Sequence, residues 1–343
     1  MNKCPPVGGQ AVLEGVMMRS PKCLAVAVRR ANGEITVREE QWRSIWEKLK
    51  FLRWPGLRGT VVMAESLLNG ISALNFSAEV AMRDSGDEQQ EDSRATLALG
   101  MVLGLVAAIG LFKFLPHLAA AYAGKFILGR MLTADDLLYH VIDGIVKIGV
   151  FVAYVAAIGQ MKDIKRVFMY HGAEHKAIYT LEAGEELTVE NARKNSRLHP
   201  RCGTAFLMVV ILFFIILSAV LLPWLPAWAK PGEGSPWYTH LVLVMIKLPL
   251  LIPVAGLAYE FNRFAGRHVD SKWLRPLLLP GLGMQLLTTK EPTDDQLEIG
   301  LVALRASLRC ESMEGEPISA PNEPAIYESF AAYEAAFSGK TAQ

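Results

Sequence analysis

Gly203-Thr204-Ala205-Phe206-Leu207-Met208-Val209-Val210-Ile211-Leu212-Phe213-Phe214-Ile215-Ile216-Leu217-Ser218-Ala219-Val220-Leu221-Leu222 continues through Pro223 and Pro226 to Ala229 without one charged side chain. At 1.5 Å per residue, twenty such residues in a helix cover the roughly 30 Å hydrocarbon core of a bilayer. The run ends among Trp224, Trp228 and Trp237, side chains suited to a membrane–water boundary.

Three further segments share this character. Ala95–Phe112 is uncharged, Val141–Met161 carries Asp143 and Lys147 in its first half, and Leu241–Tyr259 holds Lys247, Pro249 and Pro253, which predict a kink. A charge near the bilayer centre costs about 2.5–3.5 kcal/mol. Lys147 and Lys247 must therefore snorkel or pair with Asp143, or else line a polar pocket inside the bundle. The whole chain of 343 residues is 52% hydrophobic, with a mean hydropathy of +0.25 and a net charge of +1. It is too apolar for an ordinary soluble domain and too balanced in charge for a nucleic-acid binder. The fold class that follows is an α-helical integral membrane protein with about four transmembrane helices, plus a small α+β cytosolic amino-terminal region containing a β-hairpin.

Charge bias orients the spans. The stretch 162–201 carries Lys162, Lys165, Arg166, Lys176, Arg193, Lys194, Arg197 and Arg201, and Arg263, Arg267, Lys272 and Arg275 follow the fourth span, whereas 223–240 has only Lys230. Both termini and the middle loop are expected in the cytosol, in a multi-pass protein of the cytoplasmic membrane. Residues 1–9 lack the charged start and apolar core of a signal peptide. Cys4, Cys23, Cys202 and Cys310 form no C-x-x-C pair, and a cytosolic setting predicts reduced thiols.

The expected organisation is a cytosolic or membrane-associated region over 1–94, a first transmembrane pair over 95–161, a cytosolic loop over 162–202, a second pair over 203–260, a cytosolic or interfacial helical region over 261–310 and a loosely ordered tail over 311–343. In the first region Ala25–Arg30 and Glu34–Arg38 flank Asn32-Gly33, the signature of a two-residue hairpin turn. The Gly-punctuated stretch 8–19, with Glu14 and Arg19, reads as a bulged strand or a binding loop. Helical spacing follows at Trp42, Ile45, Trp46 and Leu49 and again from Leu57 to about Glu79. An acidic linker over 84–92 marks the boundary with the first span. Beyond the spans, 275–287 is too short and broken to cross a bilayer, and Thr293-Asp294-Asp295-Gln296 is a capping box before a helix reaching about Cys310.

Chemistry concentrates in Tyr170-His171-Gly172-Ala173-Glu174-His175-Lys176. On a helix His171 and His175 share one face with Glu174 beside them, and H-x-x-E-H is the inverted zinc-peptidase pattern, in which two imidazoles hold the ion and the carboxylate moves protons. The same spacing also arises by chance on an exposed helix. His199 and Cys202 return the chain to the third span, and Glu260 and Asn262 close the fourth, so these groups could converge with the histidine pair. Arg201 stands between His199 and Cys202.

Four stretches together, 8–19, 171–176, 197–204 and 287–292, resemble the YqhQ family of bacterial membrane proteins, over roughly residues 7 to 310. That family is a domain of unknown function described as predicted metal-dependent enzymes, and the resemblance implies a metal at His171 and His175 without naming a substrate. The leading expectation is a zinc hydrolase at the cytosolic membrane face, with His171, His175 and either His199 or Glu260 as ligands, Glu174 as proton acceptor and a lipid-linked or membrane peptide substrate. A di-iron hydroxylase needs more histidine boxes than this chain has. The main alternative is a non-catalytic membrane scaffold or assembly factor. A small transporter using Asp143, Lys147 and Lys247 ranks behind both. Membrane lipid is an expected partner and nucleic acid is not.

Overall fold

The computed structural model describes residues 5–45, 49, 51, 54, 56–85, 93–232, 234–267, 271, 275–312 and 324–337, leaving aside the side chains of 85, 93–98, 101, 266–267 and 275–278. Two units are joined end to end, a sheet sandwiched between helices and a bundle of long apolar helices.

The sheet has five antiparallel strands in sequential order, β1 (Gly8–Val12), β2 (Gly15–Arg19), β3 (Cys23–Arg29), β4 (Ile35–Gln41) and β5 (Ala325–Tyr327). Alternation along the strands divides its faces. Val16, Met18, Ala25, Ala27, Ile35 and Val37 pack against α5 (Lys162–Glu182) and α11 (Asp294–Ser312). Val12, Met17, Leu24, Val26 and Val28 pack against Ala73, Phe76 and Val80 of α1 (Leu57–Ser85). The strands of the 1–94 region therefore share their core with α5 and α11, more than a hundred residues later in the chain.

The turns differ from expectation. Stretch 8–19 is a hairpin closed at Leu13-Glu14, with Val12 opposite Gly15 and Glu14 at φ 50°. The Asn32-Gly33 hairpin forms, but its turn is wider than two residues: Arg29 pairs with Ile35, Arg30 N–H bonds Glu34 O, and Gly33 alone among the turn residues has positive φ. Residues 324–337, expected as loose tail, form β5 on the edge of β4 and α12 (Phe330–Phe337), whose Tyr333 is buried in the core beside α11. Trp46, from the first expected helical stretch, and 86–92, from the acidic linker, lie outside the described residues, and α1 runs past Glu79 to end at Ser85.

Four helices are long and apolar enough to cross a membrane, Val102–Leu128, Leu137–Ile158, Gly203–Trp224 and Trp237–Ala265. The first lies later than expected, because α2 (Ser93–Ile109) passes through a π turn at Gly110–Phe114 into α3 (Leu115–Leu128). The others comprise α4 (Leu137–Ile158), α7 (Gly203–Leu221) and the pair α8 (Trp237–Lys247) and α9 (Leu251–Arg267), broken beside Pro249 as its missing N–H dictates. Trp224, Trp228 and Trp237 are strongly exposed at one end of the bundle. At the other end α10 (Arg275–Thr288) packs along α7, and α6 (Val189–Lys194), capped by Thr188, bridges α5 and α11. The capping box before α11 forms, with Thr293 N–H bonded to Gln296 Oε1 at 3.0 Å.

Candidate metal centre

Helix α5 presents His171 and His175 one turn apart, their ring centroids 4.5 Å from each other. Each imidazole is fixed by a backbone carbonyl. His171 Nδ1 donates to Thr288 O at 2.9 Å, and His175 Nδ1 donates to Arg197 O at 2.5 Å. A carbonyl only accepts, so both rings carry their proton on Nδ1 and present Nε2 as a lone pair. His175 Nε2 is buried without a hydrogen-bond partner, and His171 Nε2 lies 3.2 Å from Cys202 Sγ. One ligand atom from each of His171, His175 and Cys202 falls within 4.8 Å of the other two.

Cys202 is buried at the N-cap of α7, its sulfur accepting from Thr204 N–H and touching Thr204 Oγ1. It is the one free cysteine among the described residues. Cys23 and Cys310 form a disulfide between β3 and α11, against the expectation of reduced thiols.

Gly172 brings these partners within reach. A Cβ there would stand 2.1 Å from Lys290 O, so only glycine admits the segment that carries the Thr288 carbonyl to His171. Lys290 N–H bonds Phe168 O, and Lys176 pairs with Glu291 at 2.6 Å, which holds that segment along α5.

The other expected residues take different places. His199 is buried beside His175, 5.7 Å between centroids, but both its nitrogens are engaged: Nδ1 accepts from Arg201 N–H and Nε2 donates to Glu182. Gln285 clamps the His199 backbone from α10 through two bonds, at 2.7 and 2.8 Å. Arg201 pairs with Glu182. Glu260 is not among the donors grouped with His171 and His175, and the Arg58 guanidinium grips its carboxylate with two bonds. Asn262 lies half-buried on α9, and no bond joins it to the His–Cys group among the described residues. Glu14 bonds Arg166 and the Tyr170 hydroxyl from the β1–β2 turn. Arg19 stacks over Trp42 at 3.6 Å and lines, with Arg201, a cavity of about 610 Å³ between β1, β2 and α1.

Glu174 is buried against β1, where a Cβ on Gly9 would meet its side chain at 2.8 Å. One carboxylate oxygen is buried without a partner. Burial pushes this carboxyl up against the pull of the His171 and His199 imidazoles and a bond from Gly9 N–H, while burial moves His175 and His199 down. Thr288, Arg197 and Gln285 escaped sequence reasoning as site residues. Thr288 and Arg197 belong to stretches quoted above, and they act through main-chain carbonyls, which no side-chain pattern reports.

A family described as "Protein of unknown function (DUF1385)" matches residues 54–310. The "Uncharacterized protein YqhQ" of Bacillus subtilis (strain 168) is 33% identical over 319 residues, covering 91% of this chain and 95% of that one. The chain belongs to the YqhQ family. No solved structure matches it. The four stretches on which the resemblance was read all reach this centre: Gly9 against Glu174, the helix 171–176, the 197–204 segment with Arg197 O and Cys202, and Thr288 O from 287–292.

Proposed function

We propose that this protein is a multi-pass membrane protein of the cytoplasmic membrane, with its sheet unit and both termini in the cytosol. In this reading it holds a divalent ion, zinc by the softness of its donors, between His171 Nε2, His175 Nε2 and Cys202 Sγ. The observation that carries it is the pair of Nδ1–H bonds to Thr288 O and Arg197 O, which strip both Nε2 atoms of protons and aim them at one thiol. Metal-ligating histidines are held by such outer bonds. Three protein donors leave a fourth position for substrate or water.

The reaction supported best is hydrolysis of a lipid-linked or membrane peptide substrate at the cytosolic membrane face. Zinc held by His171, His175 and Cys202 would supply Lewis-acid polarisation of the scissile group and a more acidic water. Glu174, whose carboxyl is pushed up by burial, takes and returns the proton. His199 is a positioning residue, holding Glu182 and Arg201 at the rim. The cavity lined by Arg19 and Arg201 offers a mixed apolar and cationic bed for a substrate arriving from the membrane surface.

Elemental analysis of detergent-purified protein tests the centre. The wild type should carry one zinc per chain, His171→Ala and Cys202→Ala should lose it, and Glu174→Gln should retain it while failing to restore function in cells lacking the protein. A metal-free wild type would overturn the reading.

A further inference from the structure

The opposite end of the bundle holds a second polar assembly, which the metal centre does not use. Four titratable side chains from three helices form an unbroken series of hydrogen bonds: Lys247 Nζ to Tyr139 Oη at 2.6 Å, Tyr139 Oη to His117 Nδ1 at 2.7 Å, and His117 Nε2 to His240 Nδ1 at 2.8 Å. All four are at most 4% exposed, in helices apolar enough to cross a membrane.

Donor accounting fixes the direction of every proton in the series. An ammonium has no lone pair, so a charged Lys247 donates to the Tyr139 oxygen. The phenol must then give its own hydrogen to His117 Nδ1. His117 consequently carries its proton on Nε2 and gives it to His240 Nδ1, leaving the His240 proton on Nε2. If Lys247 is neutral, its lone pair accepts from Tyr139 and each bond reverses. The two charge states of one lysine thus correspond to the two polarities of a single chain.

We propose that Lys247, Tyr139, His117 and His240 form a proton relay between the interior of the bundle and the end that bears Trp224, Trp228 and Trp237. In uptake, a water-borne proton adds at His240 Nε2 and the His240 Nδ1 proton passes to His117 Nε2. The His117 Nδ1 proton then passes to the Tyr139 oxygen, and the phenol hydrogen passes to Lys247 Nζ. One bond to hydrogen forms and one breaks at each of the three intermediate groups, no electrons change owner, and the net result is one proton moved to Lys247. His240 and Lys247 are seven residues apart in α8, so the charge travels about 10 Å along the bundle.

The surroundings suit a proton that comes and goes. The nearest carboxylate, Asp143, is already held by Lys147 at 2.6 Å, and its second oxygen is buried without a partner. Lys113 and Lys147 both approach the Phe214 ring, at 3.5 and 5.0 Å. Lys247 therefore shares the interior with two other lysine side chains and leans on a phenol and its ring face. His140, next to Tyr139, is tied to Ala134 O and stands outside the chain. Toward the metal centre the path stops at a layer of Val155, Met208, Met284 and their apolar neighbours, so the relay opens to one side only. It stands independently of any metal at the other end.

A one-sided relay produces a transient charge displacement and no steady current. Full-length protein in proteoliposomes adsorbed on a solid-supported membrane should give a displacement transient after a pH jump, and Tyr139→Phe, which keeps the ring and removes the hydroxyl, should lose it while melting within a few degrees of wild type. No transient above protein-free membranes, or a transient that persists in Tyr139→Phe, would overturn the relay. Nitrogen-15 NMR of histidine-labelled wild type needs no variant. The His117 and His240 rings should share one tautomer and exchange it together between pH 5 and 9, and a fixed or mixed pair of tautomers would overturn the proposal equally.

Discussion

Gly172 separates the first histidine of the proposed metal site from the rest of its motif, and its missing side chain fixes the position of Thr288 O on His171 Nδ1. Gly172→Ala should force the 288–290 backbone outward and weaken zinc binding by about 10- to 100-fold, the usual effect of losing an outer-sphere partner, as measured by chelator competition on folded protein. His171, His175 and Glu174 were legible because i, i+4 spacing is a property of one helix. The third donor was not, because Cys202 comes from another element and looked no better on paper than Glu260. What separated them was Arg58 on α1, which grips the Glu260 carboxylate through contacts 202 residues apart in the chain. The intramembrane lysines were legible as a problem, and only coordinates could decide between snorkelling and an interior network.

At the scale of elements, the α3–α4 turn offers the clearest titration. Asp136 bonds Arg130 at 2.6 and 3.0 Å and also takes Thr133 N–H, and its carboxyl is lowered by these bonds from 3.8 to about 2. With the folded value below the unfolded one, the unfolded chain binds more protons between them. The contribution is therefore complete above about pH 4 and disappears as pH falls toward 2. Asp136→Asn should cost about 1 kcal/mol at pH 7 after allowance for solvent screening, and thermal melts of variant and wild type should converge near pH 2. Spans, the Asn32-Gly33 hairpin, the Thr188 cap and the Thr293 box were visible in sequence because each is a local signal. β5 and α12 were not, since a three-residue strand has no periodicity of its own and acquires its place from the edge of β4.

Across the whole molecule, the sheet unit is assembled from the beginning, middle and end of the chain, and Cys23–Cys310 fastens its first and last parts across 287 residues. Cys23→Ser should lower stability by about 2–4 kcal/mol, read as a lower melting temperature that reductant reproduces in wild type, with both cysteines resisting maleimide until reductant is added. Between the two polar ends of the bundle lies the dry layer of Val155, Met208 and Met284. Its aliphatic and thioether side chains offer no N–H or O–H through which a proton could be handed on. The remaining conduit is mechanical. Helix α7 is 19 residues long, with Cys202 at its start and Phe214 and Ser218 buried near its far end, so it behaves as a lever of about 28 Å. A tilt of about two degrees pivoted at Met208 in that layer moves the two tips in opposite directions, by about 0.3 Å at the cysteine end and about 0.7 Å at the far end. Rearranging charge around Phe214 would thereby be felt as strain at the cysteine.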